Sequence, residues 1–218
     1  MQMWYNAHMK QCETEKILSI LENLYPDAKP ALKYSTPYEL LVAVVLSAQC
    51  TDERVNKVTD KLFKEYNTPQ AMCTLTQEEL EQKIYSCGFY RMKAEHILSA
   101  SRDILQKFNG NVPSTLAELQ TLAGVGRKTA NVVYSVAFGG NAIAVDTHVF
   151  RVSNRLGLAH ASTPEKTELQ LMQALPESVW SKAHHWLIYH GRRVCHSQRP
   201  NCPECPLKPF CQYYKEKE

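Results

Sequence analysis

The stretch Leu122-Ala123-Gly124-Val125-Gly126-Arg127-Lys128-Thr129-Ala130 lies between two segments with helical spacing, Ser114–Leu122 and Arg127–Phe138. Two glycines one residue apart permit positive φ and let another backbone approach closely. Because the turn opens straight into a helix, Val125, Gly126 and their neighbours present N–H groups there, and such an end attracts phosphate. The competing reading is a glycine-rich corner between two helices that binds nothing. A dinucleotide fingerprint is excluded, since no strand precedes the turn and no third glycine follows.

Lys128 is out of place by the usual rule. A cation in the first turn opposes the helix dipole, by up to about 1 kcal/mol. Either Arg127 and Lys128 hold phosphate, or Lys128 is a nucleophile that the positive helix end makes easier to deprotonate, able to attack carbon and form a Schiff base. A solvated surface lysine is the plain alternative.

Working outward, helix signals dominate. Glu13–Leu24 carries Ile17, Ile20, Leu21 and Leu24 on one face before Pro26. Thr36-Pro37-x-Glu39 has the N-cap, first-turn proline and capping-box acid of a helix start, ahead of the apolar run Leu40–Leu46. Thr51–Tyr66 follows, and Thr76-x-x-Glu79 is a second capping box, leading to a helix that Gly88 ends. Further helices are predicted over Lys93–Phe108, Thr147–Leu156, Pro164–Leu175 and Ser178–Tyr189. Ala142–Val145 is the only strand candidate, so the predicted fold class is all-α.

Composition agrees with a globular chain. Its 218 residues are 44% hydrophobic and 22% charged, with net charge +3, which permits an anionic partner without demanding one. The run Leu40–Leu46 falls far short of the roughly 20 residues a membrane helix needs. Met1–Lys10 lacks the pattern of a secretory signal, so no membrane association is expected.

Four of the eight cysteines fall in one short segment: Cys195, Cys202, Cys205 and Cys211, spaced C-x6-C-x2-C-x5-C among Pro200, Pro203, Pro206 and Pro209. Disulfide staples would be spread along the chain. Clustered thiolates in a proline-rich wrap suit metal, either tetrahedral zinc or a cubane iron–sulfur cluster, and spacing alone leaves both open.

Three turn-flanked residues complete the candidates. Asp146, before the helix Thr147–Leu156, is an N-cap by position; a carboxylate held there could also steady a cationic transition state. His148 beside it reads as structural. Gln49 lies in the turn 47–52, and Phe89 lies at a turn tip, where an aromatic ring could wedge between stacked bases or simply join the core.

Taken together, these motifs resemble the endonuclease III branch of the helix-hairpin-helix DNA glycosylases. The resemblance runs over nearly the whole chain: L-S-A-Q-C-T-D at Leu46–Asp52, L-A-G-V-G-R-K-T-A-N-V-V at Leu122–Val133, A-V-D-T-H-V-F-R-V at Ala144–Val152, H-H-W-L-I-Y-H-G at His184–Gly191, and the four-cysteine loop. It implies a two-domain helical fold, with a six-helix barrel holding the hairpin over 30–140. The discontinuous remainder, 1–29 with 141–218, would form the iron–sulfur cluster domain, with one 4Fe-4S cluster on Cys195, Cys202, Cys205 and Cys211.

The implied activity is base excision on oxidised pyrimidines in double-stranded DNA, followed by cleavage at the abasic site. The damaged nucleotide is turned out of the duplex. Lys128 matches the family's nucleophile, Asp146 its essential aspartate, Gln49 the residue that fills the vacated stack, and Phe89 the wedge. Gly124 and Gly126 would hold backbone phosphate, with Arg127 beside them and Arg199 reaching from the cysteine loop. The implied protein is monomeric and works in a bacterial or archaeal cytoplasm, at the nucleoid. Two rivals are a monofunctional mismatch glycosylase, whose known members lack lysine at the Lys128 position, and a silent DNA-binding scaffold, which would need neither Lys128 nor Asp146. Phe89 replaces a more usual aliphatic wedge, Cys50 a common alanine, and the loop from Cys195 to Cys202 is less basic than expected, which predicts weak, salt-sensitive non-specific binding.

Overall fold

The computed structural model describes the chain from Gln2 to Lys217, with side chains from Gln11 onward. Helices run in the order α1 (Gln2–Leu24), α2 (Pro37–Ser47), α3 (Asp52–Leu62), α4 (Pro69–Met72), α5 (Gln77–Ile84), α6 (Tyr90–Lys107), α7 (Leu116–Leu119), α8 (Arg127–Phe138), α9 (Thr147–Leu156), α10 (Pro164–Ala174), α11 (Trp180–Arg193) and α12 (Gln212–Lys215). Among the described residues there is no strand, and no helix is long and apolar enough to cross a membrane. The chain divides into two compact units, Pro30–Gly140 and the pair Met1–Lys29 with Asn141–Glu218.

Within Pro30–Gly140, α2 explains the arrangement. Residues Leu40 to Leu46 are buried without a break, so this helix has no solvent face and must be surrounded. It packs on α3, α6 and α8, and the core gathers Leu41, Leu46, Val55, Leu80, Ile84, Leu98, Ile104 and Val133. Threonines start the helices: Thr36, Thr51, Thr68, Thr76 and Thr115 each accept an N–H of the first turn, worth about 1 kcal/mol apiece. The capping box at Thr76 is complete, with the Glu79 carboxylate accepting from Thr76 N at 2.8 Å. Glu39 differs from expectation, its carboxylate accepting from Ser35 N at 2.6 Å, one residue before the cap.

In the other unit α9 and α11 form the main pair, with α1 against α11 and α10 and α12 against α9. Ile17, Leu21, Ile143, Val149, Val152, Leu171, Ala183, Leu187 and Leu207 make its core.

Three sequence readings are corrected. Ala142–Val145 is buried and extended but pairs with no strand; the Nδ1–H of His184, on α11, donates to the Ala144 carbonyl at 2.6 Å instead. The helix expected over Ser114–Leu122 is the single turn α7, and Leu122 instead accepts from Val125 N as part of the next turn. α6 starts at Tyr90, not Lys93, because Phe89 adopts a left-handed conformation that begins the helix directly after Gly88.

Candidate active site

The glycine turn forms as its residue types require. Gly124 has φ +74, and a Cβ there would stand 2.9 Å from the His96 side chain, so only glycine fits. Val125 is buried and spends its N–H on the Leu122 carbonyl at 3.1 Å, so it anchors the turn rather than presenting a donor to ligand. Gly126 is the N-cap of α8, with no side chain capping it, and nothing lies within 4 Å of where its Cβ would be. No backbone requirement explains glycine at 126, since its φ is −78. The approach to this helix end is open. Arg127 and Lys128 follow on the first turn of α8, both exposed.

Two more turns of the same unit carry exposed side chains on strained backbone. Gln49 has φ 52 and Phe89 has φ 48, left-handed values that cost a non-glycine residue about 1 kcal/mol or more. Phe89 is 59% exposed, so it is not the core aromatic that its type would ordinarily be.

Asp146 belongs to the other unit. Its Oδ1 accepts from the N–H groups of His148 and Val149, both at 2.8 Å, which fixes the carboxylate at the start of α9. The His184 bond to Ala144 secures the segment leading into it. His148 is structural: the Arg151 guanidinium, 3.2 Å from its Nδ1, can only donate, and burial pushes the imidazole below its ordinary range.

The four clustered cysteines line one small cavity. Burial pushes the Cys205 and Cys211 thiols up, and their neighbours Cys195 and Cys202 add to this, because thiolates repel one another. Four such groups gathered together suit a cationic metal core that shares their charge. A lone zinc would draw its four sulfurs to about 2.3 Å from one point. Among the described residues no three His, Cys, Asp or Glu side chains converge that closely; four thiols around one cavity are a donor set that zinc or an iron–sulfur cluster could use. Around it, Arg155 Nη1 donates to Cys195 Sγ at 3.4 Å, and His190 Nε2 lies 3.5 Å from Cys205 Sγ. Tyr25 meets the other nitrogen of His190 at 3.1 Å. Arg151 holds the Cys195 carbonyl through Nε and Nη2, at 3.1 and 3.0 Å. Thus α9, the helix capped by Asp146, also grips the start of the cysteine loop. Arg199 is exposed on that loop with φ 51.

Sequence reasoning did not single out Arg151, Arg155, His184 or Lys93. The two arginines had a signal, lying four residues apart on the helix that Asp146 caps. Lys93 had one too, four residues before Ile97 on the apolar stripe of α6. It is 3% exposed, and its Nζ donates to the carbonyls of Leu46, Ala48 and Cys87 at 2.8, 2.8 and 2.7 Å.

A helical unit whose glycine turn opens a lysine-bearing helix, and a second unit that carries four cysteines around one cavity, define a class. The chain belongs to the HhH-GPD superfamily of base excision DNA repair proteins, whose pattern matches residues 42–177. Within it the relatives are endonucleases III. Endonuclease III of Synechocystis sp. is 50% identical over 206 residues, 94% of each chain. A structure described as a non-covalent endonuclease III–DNA complex superposes with a TM-score of 0.90 at 48% identity, covering 95% of this chain and 97% of that one. A second, described as a trapped endonuclease III–DNA covalent intermediate, gives 0.89 at 48% identity over 94% and 98%.

Proposed function

We propose that this base excision glycosylase and abasic-site lyase removes oxidised pyrimidines from double-stranded DNA, with Lys128 as its nucleophile. The observation that carries the assignment is Lys128 itself, exposed on the first turn of α8 directly after an unobstructed glycine N-cap. An amine is not what a helix N-terminus ordinarily favours, and phosphate approaching Gly126 brings the sugar of a turned-out nucleotide towards it.

The amine attacks C1′, and the bond from C1′ to the base breaks, the base leaving with a proton. Opening of the sugar ring gives the Schiff base between Lys128 and C1′. Loss of a C2′ proton then expels the 3′ phosphate, which cuts the strand, and water releases the lysine. Asp146 assists deprotonation of the lysine and stabilises the positive sugar, its carboxylate oriented by His148 N and Val149 N. Gln49 fills the space the nucleotide leaves, Phe89 wedges the stack beside it, and Gly124, Gly126, Arg127 and Arg199 serve the backbone phosphates.

Cys195, Cys202, Cys205 and Cys211 would hold a 4Fe-4S cluster, whose contribution is to fix the loop that carries Arg199. The endonuclease III of Synechocystis supports a bacterial setting. We take the working form to be a monomer in the cytoplasm, at the nucleoid.

Borohydride with a thymine-glycol duplex tests the central claim. A covalent protein–DNA adduct is expected from the native chain and none from Lys128→Ala. Absence of the adduct in the native chain, or its persistence in the variant, overturns the lysine assignment.

A further inference from the structure

We infer that Lys93 is the positioning residue that couples the Gln49 turn to the Phe89 turn, so that the two probe a duplex as one element. Its three ammonium protons are all spent on backbone carbonyls. Two belong to the end of α2 and the turn after it, Leu46 and Ala48, and the third is Cys87, last residue of the short 3-10 helix Tyr85–Cys87. Ala48 directly precedes Gln49, and Cys87 stands two residues before Phe89. The inference rests on the roles proposed above for those two side chains.

The chemistry suits the task. The last carbonyls of a helix lack intrahelical partners and carry its negative dipole end, so a cation there is favourable. One ammonium satisfies such carbonyls on two elements at once, which no neutral side chain of that length can do. Burial makes the arrangement decisive, because a displaced Lys93 would leave a charge and three carbonyls unpaired at 3% exposure. Cys50, from the first turn, also lies close enough to Cys87 to help push its thiol up.

Strain gives the coupling its purpose. Gln49 and Phe89 are both non-glycine residues at left-handed φ, and such conformations persist only where the surroundings hold them. The ammonium fastens the carbonyls that flank both. The side chains are therefore presented in a fixed relation before DNA arrives, which spares the ordering cost of setting two loops separately.

The test uses the whole chain with its cluster, reading binding and fluorescence on a duplex with a reduced abasic site next to 2-aminopurine, and borohydride trapping on a separate thymine-glycol duplex. Lys93→Met is expected to weaken binding about tenfold and to depress the fluorescence change, while the saturating rate of borohydride trapping at Lys128 stays within about twofold. Lys93→Arg, which keeps charge and donors, should recover most of the fluorescence change. Native affinity and fluorescence in Lys93→Met overturn the inference. So does a Lys93→Met chain that stays folded while its affinity, fluorescence change and trapping rate all fall in the same proportion. Gln49→Ala and Phe89→Ala run alongside separate the two failures. If they too leave binding untouched, the roles of Gln49 and Phe89 fall; if they impair it and Lys93→Met does not, only the coupling falls. Should Lys93→Met not fold, hydrogen exchange on the native protein decides. Residues 47–50 and 87–90 gaining protection together on binding supports the coupling, and independent protection overturns it.

Discussion

The guanidinium of Arg155 stands 3.4 Å from the Sγ of Cys195 and donates to the carbonyls of His196 and Ser197 at 2.7 and 3.0 Å. One side chain of α9 thus supports both a sulfur and the loop behind it. Groups behind metal ligands commonly contribute ten- to hundredfold in affinity. Arg155→Met should therefore lose iron and visible absorbance in air about tenfold faster than the native chain, with Arg155→Lys in between. Equal bleaching and equal iron content in all three would refute this role.

Asp146 has two separable duties, capping α9 and supplying a negative charge. Asparagine keeps the cap and removes the charge, whereas alanine removes both. Asp146→Asn should melt within a degree or so of the native chain yet trap DNA at least about a hundredfold more slowly. Asp146→Ala should lose about 1 kcal/mol of stability as well. Full trapping by Asp146→Asn would leave the carboxylate as a cap and nothing more.

Gly124 and Gly126 sit two residues apart in very different local surroundings. Alanine at 124 meets both a left-handed φ and the His96 ring, and should destabilise the fold by about 1–2 kcal/mol or more. Alanine at 126 meets neither. Gly126→Ala should melt like the native chain and still bind duplex DNA about tenfold more weakly, because its methyl group occupies the phosphate approach. Fluorescence anisotropy beside a melting curve distinguishes the pair, and unimpaired binding by Gly126→Ala would count against the hairpin.

Burial lowers the imidazole of His185 to about 3. A depressed histidine is neutral in the fold, while the unfolded chain takes up its proton near pH 6.5. The stability it contributes is complete above pH 6.5 and is lost as pH falls from there towards about 3. Between pH 7 and 5 the loss should be about 2 kcal/mol, read from urea midpoints. His185→Gln should flatten that dependence, and an identical slope in native and variant chains would sink the account.

Local signals were legible in the sequence where backbone chemistry is local. The threonine caps at 36 and 76 mark real helix starts, and α8 and α9 run from Arg127 and Thr147 as the spacing predicts. The cysteine spacing predicted a shared metal site, and all four residues line one cavity. Tertiary partners defeated the rest. Ala142–Val145 looked like a strand because its apolar residues are buried, but an imidazole, not a neighbouring strand, takes the Ala144 carbonyl. Lys93 was read past because lysines are ordinarily solvated. Its three acceptors lie up to 47 residues away, beyond any local pattern.

The discontinuous unit has a consequence for synthesis. Ile17, Leu21 and Tyr25 of the first helical segment bury themselves with Ile143, Val149 and Leu187, which leave the ribosome more than a hundred residues later. At ordinary translation speeds that delay is roughly five to twenty-five seconds. Through it the nascent chain carries an uncovered greasy stripe while the intervening 30–140 segment emerges. The earliest helix made is among the last to dock, and this interval is when the growing polypeptide most needs a chaperone's shelter.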